Sequence, residues 1–405
     1  MSDMKKNAFI IAEYNPFHNG HQYHIKETLK AGAENIICIM NGNFVQRGEP
    51  ALCSKLLRAE FAVKNGADLV IELPVKYGIS DASHFARGGV LTANATGLAG
   101  TLSFGACAAP EALQKLAEIS RSQGFLQQVR KVSENEGKNY PAAFNKVLSL
   151  TDESLCRLTD DANNVLGLEY IHAINKTNST LDYFVVNRSV LAPHDASAPA
   201  DALASAKYIR DNITSGNLAE AEKYMPENVF AILTDTLNKG KCAEKREFFD
   251  RAALSYLFHL QTEDFTFING VAQGLENRII NAIRESSSLT ALYDNVKTKR
   301  FTHARIRQII LAAVLGVTKQ DAESDVSYIR VLAFNEKGKE LLREMRKTAK
   351  VPVITNLSDI TEKSSFQAQK DKETDYLAGK MFELCKLAPD NANTEFLLKP
   401  YIFSK

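Results

Sequence analysis

Hydrophobic and polar positions in the first half of the chain alternate between short apolar runs and amphipathic stretches. Ala8 to Glu13 (AFIIAE), Asn35 to Met40 (NIICIM), Asp68 to Leu73 (DLVIEL) and Gly100 to Phe104 (GTLSF) are β-compatible runs. Helical spacing begins near Asn19 and recurs at roughly 53–66 and 80–97. This order, β-α-β-α-β-α-β, predicts a parallel sheet whose ligand lies at the carboxyl ends of its strands. The pattern turns helical and polar from about 108 to 180, with Ser133 to Tyr140 as an exposed loop, and Thr180 to Asn187 (TLDYFVVN) reads as a fifth strand. Pro193 to Leu203 is rich in Ala, Pro, Asp and Ser and reads as a loop. Beyond about 215 helical periodicity dominates, with one short extended run near Val351 to Thr355.

The fold class expected is therefore α/β. A Rossmann-like parallel-sheet domain over 1–214, with a helical insertion at about 108–180, precedes a mainly α-helical second domain over 215–405. The 405 residues are 45% apolar and 24% charged, with a net charge of +1. A nucleic-acid surface must then be a local patch. The six cysteines are scattered without CxxC spacing or a histidine partner at zinc-ligand spacing, which argues against a zinc site and for free thiols. Lys5 and Lys6 lead into a core strand, not an apolar leader, and no run approaches bilayer length. A cytoplasmic protein with no membrane partner is expected; oligomeric state is not legible.

Candidate chemistry gathers at the predicted strand ends. After the first strand, Asn15-Pro16 breaks the run and a helix starts near Asn19, which is read as its N-cap. The first helical turn attracts phosphate through unpartnered N–H groups and the positive dipole end. His18 and His21, three residues apart, are placed to donate two hydrogen bonds to one phosphate as charge grows on it. Gly20 between them is read as leaving room for a purine or sugar. After the second strand, Asn41 to Pro50 (NGNFVQRGEP) is a polar substrate loop in which Asn43, Gln46 and Arg47 are the candidates for a small anion or a base. Paired amides at Asn163 and Asn164 are suited to a ribose or an adenine edge, though they equally suit helix capping, and Arg188 follows the fifth strand. Ser205 to Arg210 sets a hydroxyl, Lys207 and a guanidinium around a helix start. In the second half, VKTKRFTHARIRQ carries Lys297, Lys299, Arg300 and Arg305 into an amphipathic helix, a candidate phosphate-backbone contact that solvated charge would equally explain.

His18-Asn19-Gly20-His21 resembles the HIGH signature of nucleotidylyltransferases, and Ser205 to Arg210 resembles their second, pyrophosphate-holding signature. More specifically, EYNPFHNGH (13–21), GNFVQRGEP (42–50), Glu72-Leu73-Pro74, Ser103-Phe104-Gly105, NNVLGLEY (163–170), Ala204 to Arg210, GLENR (274–278) and Lys297-Thr298-Lys299-Arg300 together resemble the bacterial tRNA(Met) cytidine acetate ligases, over nearly the whole chain. That resemblance implies synthesis of N4-acetylcytidine at the wobble position of elongator tRNA(Met) from acetate and ATP, through acetyl-adenylate, with Mg²⁺ accompanying ATP. It implies catalytic roles for His18 and His21. ATP contacts are implied along Ile11, Ala12, Glu13, Tyr14, Asn15, Pro16, Phe17, His18, Asn19, Gly20, His21, Gln22, Tyr23 and His24, and at Gly105, Asn163, Asn164, Arg188, Ser205 and Arg210. Ala106-Cys107 stand where the family usually has Ser-Glu, so no acid role is carried to them. A nucleotidylyltransferase acting on a small phosphorylated metabolite and a non-catalytic RNA-binding protein are the rival readings.

Overall fold

A computed structural model describes residues 4–188, 203–298, 301–391 and 394–404. Lys299 and Arg300, and most of the loop expected at 193–203, lie outside these residues. Ten strands are formed among the described residues: β1 (Asn7–Ala12), β2 (Asn35–Asn41), β3 (Phe44–Val45), β4 (Glu49–Pro50), β5 (Leu69–Leu73), β6 (Thr101–Ala106), β7 (Asp182–Asn187), β8 (Ile329–Phe334), β9 (Val353–Ile354) and β10 (Tyr401–Ile402). The first half also carries α1 (Asn19–Lys30), α2 (Lys55–Lys64), α3 (Val75–Gly78), α4 (Ala82–Ala95), α5 (Pro110–Arg121), α6 (Gln123–Glu136), α7 (Tyr140–Thr151), α8 (Glu153–Leu158) and α9 (Ala162–Lys176), with α10 (Ala206–Thr214) following the expected loop. The four runs read from the sequence are β1, β2, β5 and β6, all joined in parallel, and β7 adds the fifth strand parallel to β6.

Side chains on successive strand residues point to opposite faces, and the core divides accordingly. Phe9, Ile37, Ile39, Leu69 and Ile71 pack with Phe85 and Val90 of α4 on one face. Ala8, Ile10, Ile36, Cys38, Met40 and Val70 pack with Ile25 of α1 and Phe61 of α2 on the other. Three layers, helix on sheet on helix, result. The insertion between β6 and β7 is helical throughout its elements, α5 to α9, as the polar helical pattern of 108–180 implied.

The second half is mainly helical, with one departure that the sequence reading lacks. The run IRVLAF forms β8, which pairs antiparallel with β5 and carries β10 and β9, so the main sheet runs β10-β8-β5-β2-β1-β6-β7. Arg330 stands within this buried strand at 2% exposure. A buried guanidinium requires partners, and it has them: Nη1 lies 2.6 Å from Glu395 Oε2 and 3.6 Å from Glu72 Oε2. Lys55 Nζ completes the cluster at 2.8 Å from both carboxylates. Chain segments far apart in sequence are thereby tied beneath the 41–50 loop. A separate apolar core unites helical-half residues such as Phe249, Ile306 and Val314 with Phe44, Val75 and Ile79 from the first half.

Candidate nucleotide-binding and active site

At the carboxyl ends of β1, β6 and β7 the chain encloses a cleft of about 600 Å³, within the size of small-molecule sites. Its wall begins where β1 ends. Tyr14 adopts a left-handed backbone (φ 49°), a strained conformation for a bulky residue, and is held there by burial and by its hydroxyl, 3.1 Å from Cys38 Sγ. Its ring meets His21 edge-on at 4.8 Å.

The turn after β1 differs from the sequence reading in one informative way. The N-cap of α1 is His18, not Asn19: the Gly20 N–H donates to His18 Nδ1 at 3.0 Å, and the His18 N–H donates to His21 Nδ1 at 3.2 Å. Asn19 instead turns to the 223–224 backbone. With both Nδ1 atoms accepting, each neutral ring carries its proton on Nε2. The rings lie 3.7 Å apart between centroids and both line the cleft. Burial, followed by the cations and imidazoles nearby (His18, Arg188, His24), holds His21 well below the ordinary histidine range, so it stays a neutral donor. Gly20 also makes room within the protein itself. A Cβ there would stand 2.8 Å from His18 Cε1, so the missing side chain makes room for the His18 ring.

On the β6–β7 side, His24 donates to or accepts from Ser103 Oγ at 3.0 Å, and burial together with Arg188 lowers it to about 3. The Arg188 side chain lies over Gly105, whose hypothetical Cβ would be 2.7 Å from Arg188 Cδ. Burial lowers the Arg188 guanidinium, which still remains a cation. Asn163 lines the cleft. Its neighbour Asn164 does not; it is a clamp, its Oδ1 accepting from the Cys107 and Ala108 N–H groups and its Nδ2 donating to the Leu158 carbonyl, each at 3.0 Å.

On the β2 side, Glu13 accepts from the Gln46 N–H at 2.8 Å, and burial raises its carboxyl. Gln46 and the exposed Arg47 line the cleft, whereas Asn43 is buried beneath it, accepting from the Lys55 N–H and approaching Glu395. Ser205 caps α10 and Lys207 and Arg210 reach the cleft, with Arg210 donating to the Asn15 carbonyl at 2.6 Å and lying 3.6 Å from Glu49. Ile11, Ala12, Glu13, Tyr14 and Asn15 also line it. Pro16 and Phe17 are buried, and Gln22 bonds outward to Asn65; Tyr23 is half-buried outside the lining. Phe85 and Asp160 line the cleft without having been singled out in the sequence, and Tyr170, which closes the NNVLGLEY stretch, lines it without having been given a role. Among the described residues no three His, Cys, Asp or Glu side chains cluster as a metal site, and the two carboxyls that line the cleft, Glu13 and Asp160, fall short of a resident cage of protein oxygens for Mg²⁺.

The second-half candidates are apart from this cleft. Lys297 is exposed after a helix end that Arg278 caps through the Asn295 and Val296 carbonyls. Arg305 donates to the Gly270 carbonyl and stacks over Phe301. No helix among the described residues is long and apolar enough to cross a membrane, and all six cysteines are unpaired.

A parallel sheet with paired imidazoles at the first helix defines a nucleotidyl transferase of the HIGH type, and the family model described as HIGH Nucleotidyl Transferase matches residues 4–395. A relative from Halothermothrix orenii named tRNA(Met) cytidine acetate ligase is 35% identical, covering 94% of each chain. One from a Thermoanaerobacter species with the same name is 36% identical over 90% of this chain and 92% of its own. The crystal structure of Thermotoga maritima TmcAL bound with alpha-thio ATP superposes with a TM-score of 0.87 at 30% identity, covering 98% of this chain and 99% of that one. The chain belongs to the tRNA(Met) cytidine acetate ligase family.

Proposed function

We propose that the protein activates acetate as acetyl-adenylate with ATP and transfers the acetyl group to N4 of the wobble cytidine of elongator tRNA(Met), yielding N4-acetylcytidine, AMP and pyrophosphate. The observation that carries the proposal is the pair of Nδ1-accepting imidazoles, which present Nε2–H donors in the cleft at the head of α1. A carboxylate oxygen of acetate attacks the α-phosphorus of ATP in line. His18 and His21 donate to the α-phosphate through Nε2–H as its charge grows, and burial keeps His21 neutral, so it donates without exchanging a proton with the nucleophile.

The Arg188 and Gly105 side of the cleft receives the nucleotide, and the start of α10 with Ser205, Lys207 and the helix N–H groups receives the departing pyrophosphate. Arg210 braces the Asn15 turn. Arg47 is the cation proposed to attract acetate, Gln46 flanks it, and Asn43 supports the loop from below. Mg²⁺ enters as a companion of the ATP phosphates, in keeping with its preference for substrate oxygens and water. Lys297, Lys299, Arg300 and Arg305 are proposed to hold the tRNA backbone, and an anticodon loop offers the unpaired base that RNA-binding proteins read most readily. On this reading catalysis belongs to 1–214 and tRNA binding to 215–405, although β8 is shared with the catalytic sheet. The test is acetate-dependent ATP–pyrophosphate exchange without tRNA. Exchange by the parental protein and its loss in His21→Ala, with ATP-independent folding intact, supports adenylation of acetate; exchange that ignores acetate refutes it.

A further inference from the structure

The cleft contains a buried donor that no described residue satisfies. Asn15 is 2% exposed and lines the cleft, yet among the described residues its Nδ2 has no hydrogen-bond partner. Its orientation is not arbitrary. The Leu52 N–H donates to the other amide atom at 2.8 Å, which must therefore be Oδ1, and this leaves Nδ2 as the unpaired end. The backbone beneath is fixed as well, because Arg210 Nη1 donates to the Asn15 carbonyl at 2.6 Å. Buried donors are almost always paired, and a rigid exception inside a ligand cleft awaits an acceptor supplied by the ligand.

The position of Asn15 selects the acceptor. In the sheet order β2-β1-β6-β7, the residues on the β6–β7 side are Gly105, Asn163 and Arg188, whereas Asn15 is tied to Leu52 just after the β3–β4 hairpin on the β2 side. That side also holds Gln46 and Arg47, and Asn15 stands three residues before His18. We propose that Asn15 Nδ2 donates to the acyl oxygen, first of acetate and then of acetyl-adenylate, and stabilises the oxyanion of acetyl transfer. The inference rests on the ligase reading above. In the transfer step the lone pair of cytosine N4 forms a bond to the acetyl carbon, and the C=O electrons move onto the acyl oxygen, to which Asn15 Nδ2–H donates a hydrogen bond. Collapse restores C=O and breaks the bond from acyl carbon to phosphate oxygen, AMP leaves with that electron pair, and N4 loses its proton to water.

Asn15→Asp keeps the acceptor for the Leu52 N–H and exchanges the donor for an oxygen. The full-length variant and parent are compared in single-turnover transfer from synthetic acetyl-adenylate to elongator tRNA(Met), alongside ATP affinity. Loss of one oxyanion donor lowers transfer by about 100-fold, well beyond any loss of ATP affinity that the added carboxylate causes. Transfer within about two-fold of the parent overturns the inference, and so does ATP affinity that falls in step with transfer, which would make Nδ2 a phosphate donor. A parental protein that cannot acetylate the tRNA from acetyl-adenylate overturns the ligase reading itself, a different result from an active parent with an equally active variant. Should Asn15→Asp not fold, a structure of the parental protein with 5′-O-(N-acetylsulfamoyl)adenosine decides the matter: acyl oxygen on Nδ2 supports the assignment, and a sulfamoyl oxygen there refutes it.

Discussion

Replacing Gly20 with alanine separates the catalytic consequence of the histidine geometry from its structural one. The new Cβ would stand 2.8 Å from His18 Cε1 and 3.0 Å from His18 Nδ1. Carbon atoms prefer about 3.5–4.0 Å, so the ring must retreat by roughly 0.7–1 Å. That movement breaks the Gly20-to-His18 bond and disturbs the His18-to-His21 bond, which together set both tautomers. Loss of an N-cap costs about 1 kcal/mol. Alanine in place of glycine in a helix returns about 1 kcal/mol. Stability should therefore change little, with a melting temperature within about 4 °C of the parent. Catalysis should not be spared, because a displacement near 1 Å costs about 100-fold in rate, equivalent to about 2.7 kcal/mol of barrier. The assay is acetate-dependent ATP–pyrophosphate exchange beside a thermal melt. Exchange at the parental rate would show that the His18 ring position is not what the reaction uses, and the reasoning would be wrong.

Other outcomes follow from separate contacts. Asn164→Ala removes three hydrogen bonds to buried or part-buried backbone groups, two just after β6 and one at the end of α8, and should destabilise the protein by about 3 kcal/mol in urea unfolding; a change below about 1 kcal/mol would deny the clamp. Burial and Glu72 raise the Asp375 carboxyl to about 7, above its unfolded value of about 4. The folded state thus binds the extra proton, and stability should fall as pH rises from about 4 through 7. Asp375→Asn, which keeps a partner for the Tyr328 hydroxyl, should flatten that slope and be the more stable form at pH 8. Removing the charges of Lys297 and Arg305 should lower the slope of log K for tRNA against log salt by about 1–2, and an unchanged slope would exclude both from the phosphate backbone.

The catalytic sheet was legible because its strands are short apolar runs separated by helical spacing, and each pairs with a neighbour through backbone groups that periodicity anticipates. β8 was not legible for an equally physical reason. Arg330 interrupts its apolar run, and the carboxylates that make the arginine acceptable in a core, Glu72 and Glu395, are remote in sequence. At the site, the residue types were readable and their allotment was not. His18, His21, Arg188 and Asn163 reach the cleft as their spacing suggested, but which side chain caps α1 depends on ring rotation, which exchanged the expected parts of His18 and Asn19. The adjacent amides Asn163 and Asn164 look alike in sequence and diverge by one helical step, one toward the cleft and one into the Cys107 turn. Tyr170 and Phe85 could not be told from core aromatics, since they are core aromatics at the cleft wall.

The measurement that bears most directly on the proposed activity is incubation of the protein with ATP, Mg²⁺, ¹⁴C-acetate and total bacterial tRNA, followed by nucleoside analysis. Label in N4-acetylcytidine that requires ATP and disappears with His21→Ala is the expected result. Pyrophosphate release with transfer of the adenylyl group to a small acceptor, and no label in any nucleoside, would contradict it.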